Sequence, residues 1–376
     1  MPQTFDVCIR GAGVVGHTLA LLLARERLRV ALVSSAPTPG PDVRAYALNT
    51  ASRQLLESLR TWPDAIHASP VLRMQVQGDQ GGEVVFDAAA QGTEALTWIV
   101  DVPALETRLA EAVRYQPQVE RVSAPVPAAL TVVCEGRASQ TRTELGVDFE
   151  VMPYAQHAIA TRLVCELPHG QTARQWFHQG SILAFLPLEG ETGNKVAVVW
   201  SVPAEQVSEL LTLDDDGFAQ ALYVASHGEL GALELCSARA AWPLQQAQAS
   251  RWCGPVLHHG QPSAVESWVL AGDAAHNVHP LAGQGLNLGL GDVQALAQIL
   301  SQREDWRSVA DLRLLRRYER ERKAALLPVG LLMDGLQQLF SRTEAPLQAL
   351  RNWGMNSFER SGALKDWMAR RAMGTR

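Results

Sequence analysis

The sequence predicts an α/β fold with three parts: a sheet of parallel strands alternating with helices, an antiparallel sheet, and a helical C-terminus. Three observations indicate this fold. A glycine-rich turn lies between two short apolar strands within residues 5–33. Residues 267–300 repeat the order of strand, glycine-rich loop and helix. Between residues 148 and 241 the segments are extended, β-branched or aromatic, and punctuated by glycine and proline, which is typical of antiparallel strands.

Length and composition exclude several classes of protein. The chain has 376 residues, 47% hydrophobic and 19% charged, which is typical of a compact protein with more than one domain. A formal net charge of −6 argues against a nucleic-acid partner. No apolar run reaches the length of about eighteen residues that a membrane span needs. The N-terminus leads almost directly into a strand, so we expect no secretory signal and a cytoplasmic protein.

We predict no metal site. The five cysteines are widely spaced and lack a CxxC pair, so we expect small buried hydrophobic residues. The acidic run at 214–216 could hold a divalent cation, but no second group of ligands accompanies it. We interpret this run as a solvated helix start.

The N-terminal unit has the arrangement of a dinucleotide-binding motif. It comprises a short apolar strand, three glycines, a helix and a second strand: 5–9; Gly11, Gly13 and Gly16; 17–27; and 28–33. In this context the glycines let the backbone approach a pyrophosphate at the helix N-terminus. Ser34 replaces the acidic residue that usually ends the second strand, so we expect weaker binding on the adenosine side. Arg10, where this fold usually has an apolar residue, is unexplained by the sequence.

A second strand, loop and helix occupy residues 267–300. The apolar strand at 267–271 stops at Gly272 and Asp273, which places a carboxylate at its carboxyl edge. Beyond Pro280 the sequence is rich in glycine and then becomes an amphipathic helix. Glycines let a backbone lie flat against a ligand, and a helix start offers unpaired N–H groups and a partial positive charge. We therefore predict a binding site for a planar group that becomes electron-rich.

The order of residues in this unit resembles the second flavin-binding motif of the class A flavoprotein monooxygenases, which share the fold of para-hydroxybenzoate hydroxylase. The run reads GDAAHxxxPxxGQGxNxGxxD from Gly272 to Asp292. The resemblance implies that Asp273 binds the ribityl chain of FAD and that residues 280–287 line the isoalloxazine edge. The implied flavin-edge positions, which act without a protein nucleophile, are Pro280, Gly283, Gln284 and Gly285. The implied cofactor-binding residues of this unit are Gly272, Asp273, Gly285, Leu286 and Asn287.

Another segment, residues 42–62, carries the resemblance further. Its apolar residues recur every three to four positions, which predicts one amphipathic helix. The segment also resembles part of the ubiquinone-biosynthesis hydroxylases, a family within this class. The resemblance implies that Arg44 approaches the flavin or its phosphates, and it continues through residues 98–100 and 105–109.

The segment 115–146 is shorter than its counterpart in that family. We align residues 134–136 with the family's ADG sequence, which helps to hold FAD and is often linked to NAD(P)H use. The residues that the alignment places in this motif are Glu135 and Gly136, implied to bind the cofactor, and then Ser139 and Arg142. The alternative is a surface turn after a strand at 130–133.

Further extended segments predict the antiparallel sheet. The strands are expected at 72–77, 83–87, 156–165, 181–188 and 195–202. Gln156, His157 and residues 184–188 match the same hydroxylases, and the resemblance implies a sheet that roofs the flavin and forms one wall of a substrate pocket. An ordinary antiparallel core is the alternative. The candidates for that wall are Trp176, Phe177, Phe185 and Trp200, although buried packing is the preferred interpretation of all four.

The C-terminal part is predicted to be helical. A charged helix is expected at 312–327, ended by Pro328, and an apolar helical stripe follows at 329–340. Residues 341–376 contain seven Lys or Arg and three Asp or Glu, a net charge of 7 − 3 = +4. A basic region with interleaved aromatic residues could lie on an anionic inner-membrane surface, contact a partner in quinone synthesis, or pack on its own domain.

With the resemblance, the prediction becomes a Rossmann-like FAD-binding domain, an antiparallel-sheet substrate domain and a helical C-terminus. The expected division is 1–70, 98–147 and 255–328 for the FAD-binding domain, 71–97 and 148–254 for the substrate domain, and 329–376 for the C-terminal region.

The resemblance implies an enzyme that uses FAD, with NAD(P)H as a transient co-substrate. It would hydroxylate an aromatic ring through a flavin C4a-hydroperoxide, on a polyprenylated phenol or quinol of ubiquinone biosynthesis. Two alternatives stay open: a class A hydroxylase of another small aromatic compound, and a catalytically impaired relative that acts as a scaffold in a quinone-synthesis assembly. Ser34, Glu135 and the short 115–146 segment favour the scaffold, whereas the complete motif that contains Asp273 favours an enzyme.

Overall fold

The computed structural model describes residues 5–34, 42–78, 81–178, 180–189, 192–277 and 285–341, with 328–341 described by backbone alone. The strands are β1 Phe5–Arg10, β2 Val30–Val33, β3 Ala45–Leu48, β4 Ala68–Val71, β5 Arg73–Gln77, β6 Glu83–Asp87, β7 Thr97–Asp101, β8 Val119–Val122, β9 Ala128–Val133, β10 Phe149–Cys165, β11 Thr172–His178, β12 Ser181–Leu188, β13 Lys195–Pro203, β14 Leu233–Leu235, β15 Ala240–Ala249, β16 Cys253–His258, β17 Gln261–Leu270 and β18 His276–Asn277. The α-helices are α1 Val14–Arg25, α2 Thr50–Ser58, α3 Val102–Arg114, α4 Gln140–Glu144, α5 Val207–Thr212, α6 Asp215–Ala225, α7 Gly285–Ser301 and α8 Leu312–Ser341.

The first sheet is largely parallel, with six strands in the order β16, β17, β9, β1, β2 and β8. On its central strand β1, Val7 and Ile9 are fully buried, as expected of a parallel strand covered on both faces. Arg10 pairs with Val133, and Val133 pairs with Leu270, so β1, β9 and β17 end side by side. The turns that follow these three strands therefore meet at one edge of the sheet, the usual place for a ligand in an open parallel sheet.

The second sheet has nine strands, and its two faces differ. The order is β18, β15, β10, β13, β12, β11, β5 and β6, with β14 beside β10. Phe185 and Trp200 point to the face covered by α6 and belong to a buried apolar cluster there. Their neighbours Ala184 and Val199 point to the opposite side, where they line a cavity. We call this side the cavity face; its alternation with the packed face is the period of two expected of a strand.

The third sheet corrects the prediction of one helix over residues 42–62. Residues 45–48 instead form β3, which pairs with β7 in a sheet ordered β3, β7, β4. The helix begins only after Asn49, whose side chain accepts a hydrogen bond from the backbone N–H of Ser52 as an N-cap. Apolar spacing within the segment could not show a pairing with a strand about fifty residues away.

A second correction concerns Pro328, which was expected to end a helix. Helix α8 continues through this residue to Ser341. A proline removes one backbone N–H and crowds the preceding turn, but the alanines and leucines before it and the leucines after it are strong helix formers. These residues outweigh the local cost, so the helix is not ended.

The predictions for the acidic run and for the cysteines are confirmed. Asp214 caps α6 by accepting a hydrogen bond from the backbone N–H of Gly217, so the acidic run is a helix start. Four cysteines are buried and Cys236 is exposed, and none forms a disulfide. Within the described part of the chain, no group of three His, Cys, Asp or Glu could hold a metal ion. None of the described helices is both long and apolar enough to span a membrane. The domain division stays a prediction.

Candidate cofactor and substrate site

A cavity of about 590 Å³ lies between the carboxyl edge of the first sheet and the cavity face of the second. Its lining comes from the start of α1, from β3, from the turn after β17, from the start of α7 and from the second sheet. Gly13, Tyr46, Asp273, Leu286 and Val199 represent these five parts. The two glycine-bearing turns, far apart in sequence, thus open into one space, as a ligand held by both requires.

The first turn can be formed only with glycine at two positions. Gly11 has φ +110°, and a Cβ there would lie 2.4 Å from the carbonyl oxygen of Cys134. A Cβ on Gly16 would lie 1.9 Å from the carbonyl oxygen of Gly11. The backbone of β1, the loop after β9 and the start of α1 are therefore in close contact, which no side chain at either glycine would allow.

Three other glycines face the cavity itself. Gly13, Gly136 and Gly285 line it, and a Cβ added to any of them would meet no atom within 4 Å. Side chains at these positions would enter the cavity instead of the protein interior. Their absence leaves bare backbone at the starts of α1 and α7, where N–H groups favour an anionic or electron-rich ligand.

Charged side chains gather at this end of the cavity: Arg44, Glu106, Arg137 and Asp273. Arg44 is held by Asp42 at 2.6 Å, lies 3.6 Å from Glu106 and lines the cavity. Burial raises the pKa of the Asp273 carboxyl above its usual value, although His276 and Arg137 oppose that shift. Burial removes water that would donate hydrogen bonds to this carboxylate. A hydroxyl-rich ligand would supply those hydrogen bonds to Asp273 instead.

Behind Asp273 lies a buried polar network centred on Asp292, which has no exposed surface. Its carboxylate accepts hydrogen bonds from the Gly272 N–H at 2.9 Å, from His276 Nε2 at 2.6 Å and from Arg322 Nε at 2.7 Å. Burial opposes its ionisation, but His276 and Arg322 prevail and lower the pKa of Asp292. Asp292, the last residue of the run that begins at Gly272, therefore fixes the first through a direct hydrogen bond.

The side chain of Asn287, an expected cofactor-binding residue, is occupied within the protein. It donates to the Ala47 carbonyl at 2.8 Å and accepts from the Asn49 N–H at 3.0 Å and the Ser52 hydroxyl at 2.7 Å. These bonds tie α7 to β3 and α2. The three partners lie on β3, at the N-cap of α2 and within α2, so this residue positions the cavity walls. Its neighbour Leu286 lines the cavity.

Glu135 also acts by holding backbone in place. Its carboxylate accepts from the Ser139 hydroxyl at 2.7 Å and from the Thr141 hydroxyl and N–H at 2.6 and 3.0 Å. The next two residues, Gly136 and Arg137, line the cavity, whereas Glu135 does not. Arg10 Nε lies 3.6 Å from Glu135, so the two unusual residues of the sequence face each other. Arg142 of the same motif donates to the Ala274 carbonyl at 3.1 Å, beside the turn that carries Asp273.

The remaining predicted residues divide into three groups. Pro280, Gly283 and Gln284 lie outside the described residues. Ser34 is at the end of β2, where its N–H donates to the Val122 carbonyl, and it does not line the cavity. None of the four aromatic candidates lines the cavity, and the preferred interpretation of buried packing is confirmed: Trp176, Phe185 and Trp200 face the packed side, and Phe177 is buried.

Sequence reasoning missed several lining residues. These are Tyr46, Glu106, Arg137, Gln175 and Ser201. They stand on different elements and share no motif. Only Arg137 had a signal in the sequence, because it directly follows the ADG-like residues.

A cavity at the carboxyl edge of a parallel sheet, with two glycine turns and a buried carboxylate, defines an α/β dinucleotide-binding protein. The model of the FAD-binding domain family matches residues 106–327. The chain is 31% identical to the 3-demethoxyubiquinol 3-hydroxylase of Escherichia coli K12 over 99% of both proteins. It is 32% identical to a ubiquinone hydroxylase of Rhodospirillum rubrum over 98% of this chain and 90% of the other. The chain belongs to the family of FAD-dependent monooxygenases that contains these hydroxylases.

Solved structures agree with this fold. The p-nitrophenol 4-monooxygenase of Pseudomonas putida DLL-E4 superposes with a TM-score of 0.75 at 17% identity, covering 100% of both chains. PqsL of P. aeruginosa, in complex with 2-aminobenzoylacetate, gives 0.73 at 22% identity and covers 90% of this chain and 97% of the other. At this low sequence identity, the similarity shows a shared fold and nothing more.

Proposed function

We propose that the protein hydroxylates the ring of a polyprenylated phenol or quinol on the route to ubiquinone, using FAD and NAD(P)H. The observation that carries this proposal is the single cavity, which connects the two glycine turns to the apolar cavity face of the second sheet. One end thus offers backbone and charge to a dinucleotide, and the other offers apolar surface to an aromatic compound. The related ubiquinone-pathway hydroxylases support the choice of substrate.

The residues present fit FAD. The proposed pyrophosphate site is the turn at Gly11, Gly13 and Gly16 with the start of α1, and the proposed site of the ribityl chain is Asp273 on the turn at Gly272. The proposed flavin-edge positions are Pro280, Gly283, Gln284, Gly285 and Leu286. The remaining proposed contributors are Ser34 at the adenosine ribose, Arg44 and Gly136 beside the cofactor, and Glu135 and Asn287 as supports. When bound, FAD would supply the transfer of electrons from NAD(P)H to dioxygen and of one oxygen atom to the ring.

The protein's own residues orient the reactants and exclude water. The N-terminal end of α7 places a partial positive charge at the cavity beside Gly285, which favours negative charge on a flavin by roughly 1 kcal/mol or less per contact. The cavity face brings Ala160, Ala184 and Val199 against the substrate, and these side chains offer water no hydrogen bond. A dry cavity limits the loss of oxygen as hydrogen peroxide.

A spectrum and a product assay test this proposal. The purified protein should be yellow, and its absorbance should bleach faster with NADPH when a prenylated phenol is present, with a product one oxygen atom heavier. Bleaching stimulated only by an unrelated aromatic compound would support the alternative class A hydroxylase. A colourless protein that does not take up added FAD would contradict the proposal and favour the scaffold.

We further propose that residues 329–376 bring the protein to a quinone-containing membrane. The net charge of 7 − 3 = +4 over residues 341–376 is the basis for this proposal. The full chain should sediment with vesicles that contain anionic lipid and not with neutral vesicles. Replacing Arg370 and Arg371 by Glu should weaken sedimentation, and equal sedimentation with both vesicle types would contradict the proposal.

A further inference from the structure

On β10, β11, β12 and β13 the cavity face is apolar with two exceptions, and the other polar lining residues of this sheet, Gln245 and Asn277, lie on β15 and β18. Its residues include alanine, valine, isoleucine and leucine on β10, β11, β12 and β13: Ala158, Ala160, Ala173, Ile182, Ala184, Leu186, Ala197 and Val199. Gln175 on β11 and Ser201 on β13 are polar and line the same cavity. Neither side chain has a hydrogen-bond partner among the described residues. The polar atoms of both side chains are accessible from the cavity. They are free to bind a ligand.

One charged residue of this wall, Arg174, is among the described residues that line the cavity. Arg174 adjoins Gln175, but alternation directs its side chain to the packed face, where its guanidinium donates to Glu229 at 2.8 Å. The other charged lining residues, represented by Arg44 and Asp273, lie at the cofactor end. Bringing a carboxylate to an apolar wall without a cation would cost several kcal/mol. The wall therefore suits an uncharged ring.

The sheet register gives the spacing of the two polar residues. Gln175 lies opposite Ala184, and Ala184 lies opposite Val199, two residues before Ser201 on the same face. Two strand spacings across and two residues along the strand separate the Gln175 and Ser201 Cα atoms by about 12 Å. Side chains stand roughly perpendicular to a sheet, so two hydrogen bonds of about 2.8 Å leave about 6 Å between the ligand's polar atoms. That distance is the width of one aromatic ring with oxygens on opposite sides.

We propose that Gln175 and Ser201 determine substrate specificity by hydrogen-bonding two oxygen substituents on opposite sides of an uncharged aromatic ring. This inference rests on the proposed hydroxylase function and adds the orientation of the substrate. With both oxygens held, the ring can present only certain carbons toward the turns at Gly13 and Gly285. The two side chains therefore set the position of hydroxylation as well as the affinity.

Three probes test the pair without turnover. They are 2-prenylhydroquinone, 2-prenylphenol, which lacks one oxygen, and 3-prenyl-4-hydroxybenzoate, which adds a carboxylate. Binding to the FAD-loaded protein without NADPH can be followed by tryptophan fluorescence, because Trp242 lines the cavity. We expect the hydroquinone to bind tightest and the benzoate weakest.

Isosteric variants separate hydrogen bonding from shape. Ser201→Val and Ser201→Thr have nearly equal volume, and only the threonine keeps a hydroxyl; Gln175→Met removes the amide at similar length. Of Ser201→Val and Gln175→Met, we expect the variant at the residue that bonds the oxygen missing from the phenol to reduce the preference for the hydroquinone by roughly five- to tenfold, the effect of one lost hydrogen bond. The other variant should weaken the binding of both ligands by a similar factor, and Ser201→Thr should be close to wild type. Gln75→Met, on the neighbouring strand where Gln75 donates to Glu83, is the matched control and should change nothing.

Product analysis completes the test. In turnover, Ser201→Val and Gln175→Met should give a mixture of hydroxylated positions where the wild type gives one. A wild type that hydroxylates a prenylated quinol while both variants keep its preference and its single product would overturn this inference alone. A wild type that binds and oxidises none of the probes would overturn the proposed function itself.

Discussion

The two ends of the cavity are built by different means. At the cofactor end, polar side chains from distant segments hold the backbone: Asp292 fixes Gly272, Asn287 fixes β3, and Glu135 fixes the loop after β9. At the substrate end, a regular sheet presents every second residue, and specificity depends on which small or polar side chain stands at each register position. Changes at the first end should therefore affect cofactor retention and folding, and changes at the second should affect substrate selection alone.

The largest expected effect is that of Asp273→Ala. This change removes the carboxylate that lines the cavity at the end of the first sheet, and we expect FAD retention to be abolished. The flavin-to-protein ratio after gel filtration measures it. Asp214→Ala is the control, because Asp214 only caps α6 and its loss costs about 1 kcal/mol of stability. Loss of flavin from the Asp214 variant with retention by the Asp273 variant would show that the site is misplaced.

Asp292→Asn should have the next largest effect. It leaves Arg322 without its buried counter-charge while keeping an acceptor for the Gly272 N–H. Breaking such a buried network by removing one charge typically costs about 3–5 kcal/mol, which urea unfolding of the apoprotein can measure. Glu304→Gln, which removes an exposed partner of Arg307, should leave stability unchanged. A similar result for both variants would mean that the network does not support the turn.

The same network predicts an acid dependence. Because the folded-state pKa of Asp292 is lowered, its contribution to stability is fully present above the unfolded-state pKa near 4 and is lost as the pH falls through the folded-state value. The free energy of unfolding of the wild type should therefore fall more steeply between about pH 5 and pH 3 than that of Asp292→Asn. Parallel pH profiles would contradict this assignment.

The contrast between the two ends also explains what the sequence could predict. Strand β12 was predicted residue for residue, because its extended apolar run is a local signal. The glycine turns and the position of Asp273 after a buried strand followed from short motifs. The sequence did not predict that a strand precedes Asn49, because β3 is set by pairing with β7. It also did not predict that α8 continues through Pro328, because a local proline rule ignores the residues around the proline. The pairing of Arg10 with Glu135 joins residues over a hundred positions apart and needs coordinates.

The aromatic residues considered for the pocket wall show the same limit. Buried packing was their preferred interpretation, and it is confirmed for Trp200 and Phe185, which pack on the far face, with the Trp200 and Phe218 ring centroids 6.0 Å apart. The sequence did not show which face of the sheet meets the cavity. The pocket is formed by the small residues, because a cavity needs volume that bulky side chains would fill.

At the substrate end, Ala184→Leu should reduce substrate affinity without loss of flavin. The larger side chain projects into the cavity from β12, and we expect the KM for a prenylated quinol to rise roughly tenfold, the cost of displacing apolar contacts worth about 1–3 kcal/mol. Leu183→Met, at the next position but on the packed face, is a volume-conserving control that should leave the KM unchanged. An unchanged KM in the Ala184 variant would place the substrate elsewhere.

Arg10→Leu should have the smallest effect. It tests whether the loop after β9 requires the ion pair between Arg10 and Glu135. Arg10 lies 3.6 Å from Glu135 and 3.4 Å from Glu144, at partly exposed positions, so its removal should cost less than about 1 kcal/mol. Glu135 keeps its bonds to Ser139 and Thr141 without it. Glu135→Leu breaks those bonds and should weaken FAD binding far more. A double-mutant cycle gives the coupling free energy between Arg10 and Glu135. A value above about 2 kcal/mol would contradict this prediction, because it would show that the loop depends on the charge of Arg10 as well as on the hydrogen bonds of Glu135.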